Sequence, residues 1–113
     1  MSGNREEAAA AVQRALLACA GPGAAEQLAL AQLRLAYAEV AAEAGLAREP
    51  LRSRLTGVVD GIGQVTASES ILAQELTLRA EALTWAINQR LAGRPGATIR
   101  LRGLAISVGR DGG

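Results

Sequence analysis

The chain has 113 residues, half of them hydrophobic, and sets 12 arginines against 11 acids for a net charge of +1. It has no histidine, no lysine and one cysteine, which excludes an internal disulfide and removes the usual imidazole and amine groups of acid–base, metal and Schiff-base chemistry. The length fits a single domain able to bury roughly 65% of its unfolded surface, and a near-neutral total neither demands nor forbids a nucleic-acid partner.

Asn4 followed by Glu7 reads as an N-cap with an acid three residues on, opening a helix whose apolar residues are Ala8, Val12, Ala15, Leu16 and Cys19. Gly21-Pro22-Gly23 ends it. A second helix is predicted over about 24–44, with Leu30, Leu33, Tyr37, Val40, Ala41 and Ala44 on one stripe and Leu28 and Leu35 widening it. Tyr37 on that stripe reads as core, with its hydroxyl reaching an edge. Gly45 suits the position after the helix, and Leu46 suits the apolar contact that accompanies such an ending. From Leu51 the period changes, and two antiparallel strands, 51–58 and 62–67, are predicted around Asp60-Gly61. A third helix follows over about 69–92, lined by Leu72, Leu76, Leu83, Ile87 and Leu91, with Glu75 and Arg79 as an i,i+4 ion pair. Gly93-Arg94-Pro95-Gly96 turns the chain. Ile99, Arg100, Leu101 and Arg102 then alternate as a half-buried strand over 97–102, and Leu104, Ile106 and Val108 resume out of phase as a bulge, a turn or an added edge strand. The order α-α-β-β-α-β makes an α+β domain: a helix and turn over 1–23, a core over 24–110 and a frayed tail at 111–113.

Charge is unevenly spread. Residues 1–45 hold three arginines and five glutamates, whereas residues 90–110 hold five arginines and no acid. Arg90, Arg94, Arg100, Arg102 and Arg110 are therefore the candidate phosphate contacts, the other reading being solubilising surface charge. Arg100 and Arg102 are the sharper pair, because alternation sets both opposite Ile99 and Leu101. Four such contacts to a single strand would weaken binding about 50-fold between roughly 50 and 200 mM salt. Trp85 falls off the helix stripe between Leu83 and Ile87. It is expected to pack half-buried against a neighbouring element, with stacking on a base or contact with a partner as the alternative.

Catalysis finds no support: the pairs Glu6/Glu7 and Glu39/Glu43 lie on helix surfaces, and Asp60 with its glycines suits hairpin geometry rather than a metal loop. No enzyme, cofactor or metal is expected. Acids near the N-terminus and an uncharged stretch of only 15–25 point to a soluble cytoplasmic protein without a membrane partner.

The segments LAYAEVAAEAG (35–45), Pro50-Leu51, VTASES (65–70), ILAQELTLRAEALTWAINQRLAG (71–93) and ATIRLRG (97–103), in that order and spacing, resemble the domain of DciA-type proteins, the bacterial replicative-helicase loaders and operators. Ala73 to Leu76 matches the family's Ala-Gln-Glu-Leu-like helix start, and Ile87-Asn88 its Ile-Asn near the helix end; Tyr37 stands where the family usually has Trp. The resemblance spans about 35–103. It implies a KH-like fold with helices on one side of a three-stranded sheet, binding of single-stranded or junction DNA, and contact with the replicative helicase. Gly93 to Gly96 also spells the GxxG of nucleic-acid-binding KH domains. It lies between helix and strand rather than between helices, and Pro95 removes an amide, so a helix stop and turn is the expected role. The rival reading is a protein-interaction or self-association module with little nucleic-acid affinity, docking through Val12, Leu16 and Cys19.

Overall fold

Helical spacing of Leu33, Ala36, Tyr37, Val40 and Ala41 gives α1 (Ala24–Glu43) one apolar stripe, and all five residues are buried. The helix ends in a Schellman motif. Gly45 takes φ 77°, its N–H donates to the Ala42 carbonyl (3.1 Å), the Leu46 N–H donates to the Ala41 carbonyl (2.9 Å), and Leu46 folds into the core. The computed structural model describes residues 23–109. The predicted N-terminal helix, Arg110 and the tail at 111–113 lie outside the described residues.

Strands β1 (Ser53–Val59) and β2 (Ile62–Ala67) form the predicted antiparallel hairpin. Asp60 and Gly61 take φ values of 52° and 80°, the left-handed pair that a type I′ turn requires. A bulge shifts the register between Leu55 and Gly57. There, on the outer edge of β1, Arg34 of α1 donates to the Leu55 carbonyl (3.3 Å) and the Thr56 carbonyl (3.0 Å). Tyr37 is buried, and its hydroxyl meets the Ser53 hydroxyl at 2.6 Å; burial holds the phenol above its ordinary pKa, a rise the Ser53 hydrogen bond only partly offsets.

The helix expected over 69–92 is two helices, α2 (Ser70–Leu78) and α3 (Ala80–Leu91), broken at Arg79. Neither Gly nor Pro marks the break. Two residues earlier Thr77 returns its hydroxyl to the Ala73 carbonyl (2.8 Å), and Arg79 reaches across to the Ala44 carbonyl at the end of α1 (3.2 Å). The predicted Glu75–Arg79 ion pair spans the break at 3.4 Å.

The last strand is also displaced. The ladder forms over β3 (Gly103–Val108), parallel to β2, and not over 97–102. The reason lies in what each segment meets. β2 begins at Ile62, opposite Gly103, so residues 97–102 run before any partner strand starts. The Leu101 backbone is served by a side chain instead: Asn88 of α3 donates to the Leu101 carbonyl (2.9 Å) and accepts from the Leu101 N–H (2.8 Å). The alternation itself holds without the ladder, since Leu101 is buried and Arg100 and Arg102 are exposed.

The described residues thus form a small mixed α+β structure with three helices and a sheet ordered β1-β2-β3. Leu55, Val65 and Ala67 join Leu33, Tyr37, Leu72, Leu76, Leu83, Ile87, Leu91 and Leu101 in one buried cluster. Arg54, Thr66 and Ser107, which pair across the three strands, lie on the opposite face. No helix among the described residues is long and apolar enough to cross a membrane.

Candidate nucleic-acid interface

The five candidate arginines do not form one strip. Arg90 lies near the end of α3 and Arg94 in the turn after it, both facing the acidic side of α1. Arg90 Nη1 donates to Glu39 Oε1 at 3.0 Å and its Nη2 meets Glu43, while Arg94 Nη2 meets the same Glu39 oxygen. These contacts hold the Glu39 carboxyl below the ordinary carboxylate range, the Arg94 hydrogen bond being the largest cause. Both guanidiniums are thereby neutralised locally, and the side chains are only 32% and 23% exposed. The sequence reading of Arg90 and Arg94 as open phosphate contacts is corrected: a strip count along 90–110 omits glutamates some fifty residues earlier in the chain. Arg110 lies outside the described residues.

Arg100 and Arg102 remain. Both are exposed and neither forms an ion pair among the described residues. Arg100 reaches only its own backbone, at the Ala97 carbonyl (3.4 Å) and the Ile99 carbonyl (3.3 Å). The Arg102 N–H donates to the Gly61 carbonyl (2.7 Å), which fixes its position at the start of β3. From there it shares an open hollow of about 520 Å³ with Trp85, Thr84, Asn88, Glu81 and Leu104.

Trp85 is 67% exposed, so the expectation that it packs half-buried is overturned. With Leu83 and Ile87 turned into the core, the residue midway between them must project outward, and no element among the described residues covers it. An exposed indole beside an unpaired guanidinium offers a stacking surface and a phosphate contact in one place. Glu81 in the same hollow opposes the anion and limits its strength.

The turn at Gly93 to Gly96 offers no phosphate clamp. The Gly93 and Arg94 amides already donate to the Arg90 and Leu91 carbonyls and Pro95 has none to give, which leaves Gly96 as the single amide of the four.

Two features escaped the sequence reading. Arg54 projects from β1 onto the open sheet face, paired across from Thr66, and the alternation Arg52-Ser53-Arg54-Leu55 carried that signal. It lines a second hollow of about 420 Å³ with Arg52 and Ser68, at the opposite end of the sheet, where Arg52 is held by Glu49 at 3.2 Å. The other missed feature is the Asn88 bridge to Leu101. Among the described residues no group of three His, Cys, Asp or Glu side chains is placed to hold a metal. No protein-family model, no curated protein and no solved structure matches the chain.

Proposed function

We propose that the chain is a non-enzymatic, KH-like binding module of the DciA type that holds single-stranded or junction DNA and meets the replicative helicase during DNA replication. The observation that carries this reading is the pairing of exposed Trp85 with unpaired Arg102 in one hollow, with Arg100 two residues away. Bases stack on the indole and the guanidiniums hold backbone, so the contact is indifferent to sequence. The element order α-β-β-α-α-β, with a parallel last strand beside the central one, supports the KH-like assignment.

Two free arginines in place of four change the expected strength. Single-strand binding should fall only about 7-fold between roughly 50 and 200 mM salt. A titration of labelled oligothymidine, read by the fluorescence anisotropy of the label, tests this, with Trp85→Ala and Arg102→Ser each weakening binding and Glu81→Gln strengthening it. No binding at low salt, or binding that ignores salt, overturns the reading. The rival reading, association with protein, is favoured by the near-absence of charge on the sheet face opposite the helices, where Arg54 is the lone cation among Thr66, Gln64, Ala105 and Ser107.

A further inference from the structure

We propose that the free edge of β3 pairs antiparallel with the same edge of a second copy of this chain, joining two three-stranded sheets into one of six strands. The two edges of the sheet are treated differently. On β1 the outer edge is bulged and two of its carbonyls are taken by Arg34. On β3 the outer edge has no strand beside it among the described residues, and residues 103–109, Gly-Leu-Ala-Ile-Ser-Val-Gly, carry no charge. Such an edge is a template for another extended backbone, and β3 itself carries no charge, proline or bulge to blunt it.

Self-pairing fits on three counts. Like faces must stay together across an antiparallel pair, and a twofold axis at Ile106 achieves this: Leu104 then opposes Val108 on the helix side and Ala105 opposes Ser107 on the open side. Over 104–108 every such pair is uncharged, and the register brings arginine to arginine only beyond that stretch, at 102 and 110. The hollows beside β3 are also complementary. One, at the α2 end, is lined by Leu78 and Val108, which are 81% and 53% exposed; the other, at the α3 end, is lined by Trp85 and Leu104. Antiparallel pairing sets the Leu78 end of one copy against the Trp85 end of the other. A strand edge with a few flanking apolar side chains is a small interface, so the dimer is expected to be reversible and concentration-dependent.

Sedimentation velocity of the full chain over about two decades of concentration spanning the micromolar range tests the pairing. The expected result is a monomer–dimer transition, accompanied by a blue shift of Trp85 emission as the concentration rises. Ala105→Lys places like charges beside the twofold axis, and Leu78→Ser removes the apolar group from its hollow. Each should weaken dimerisation at least tenfold while leaving the thermal melt by circular dichroism unchanged, since both positions are exposed. A monomer at every concentration overturns the proposal, as does a dimer indifferent to Ala105→Lys, or an edge that captures an extended peptide while the chain stays monomeric. Pairing that persists without DNA binding counts against the proposed function alone, and DNA binding by a strict monomer counts against the pairing alone.

Discussion

The Asn88 side chain donates to the Leu101 carbonyl and accepts from the Leu101 N–H, satisfying the backbone of a buried residue that has no strand beside it. Replacing it with alanine leaves a buried donor and acceptor unpaired, a cost of about 2–3 kcal/mol. Urea unfolding of Asn88→Ala should show that loss. Asn88→Asp discriminates further: its carboxylate still accepts from the N–H but faces the carbonyl without a proton. Stability of that variant should therefore recover as pH falls and the carboxyl protonates, and a flat pH response would refute the bridge as the source of the effect. The DciA-like resemblance singled out Ile87-Asn88, yet nothing local to Asn88 names Leu101 as its partner. Arg90 and Arg94 carry the same lesson. Their charge was plain in the sequence, but their neutralisation by Glu39 and Glu43 depends on how α1 lies against α3, which no window of neighbouring residues contains.

At the scale of elements, legibility followed local determinism. The hairpin was readable because Asp-Gly supplies both left-handed residues, and α1's end because Gly45 and Leu46 complete a cap within two residues. The break at Arg79 was not, because no breaker residue marks it and the Arg79 contact with the Ala44 carbonyl joins residues 35 apart. β3 was displaced because alternation reports which side chains are buried, not which backbone has a neighbour. Two glycines of the hairpin make the physical distinction testable. At Gly61 (φ 80°) an added Cβ would press on Arg102 Cδ at 2.8 Å, but that side chain is flexible and can yield. The cost of Gly61→Ala, about 1–2 kcal/mol, should come from the left-handed backbone, and Gly61→Asn should recover part of it. At Gly63 an added Cβ would meet Leu104 Cδ2 at 2.9 Å and Leu55 Cδ1 at 3.2 Å inside the core. Gly63→Ala should cost about 1–3 kcal/mol by overpacking, with Leu104→Ala recovering stability in the double variant relative to the sum of the singles. Additive losses in urea unfolding would reject the steric account.

The distribution of charge over the whole molecule decides how the two proposed activities relate. Arg52, Arg79, Arg90 and Arg94 are paired with acids, Arg34 is spent on β1 carbonyls, and the sheet face away from the helices holds Arg54 alone. Among the described residues an aromatic and an unpaired cation share a hollow on the α3–β3 side, and the same Trp85 lies beside the edge proposed to receive a second copy. One indole cannot stack on a base and pack against the Leu78 of another chain at once, so single-stranded DNA and dimerisation should oppose each other. Thermodynamic linkage makes the opposition reciprocal: whatever factor the DNA takes from the dimer's affinity, the dimer takes from the DNA's. Adding a short oligothymidine at low salt should therefore shift the sedimenting species from dimer towards monomer. High salt should restore the dimer, because it weakens the phosphate contacts and leaves an uncharged interface nearly untouched. Arg102→Ser should weaken the effect of DNA while preserving self-association, since residue 102 lies outside the paired stretch 104–108. DNA that instead raises the dimer fraction would place the nucleic acid on a surface other than the Trp85 hollow.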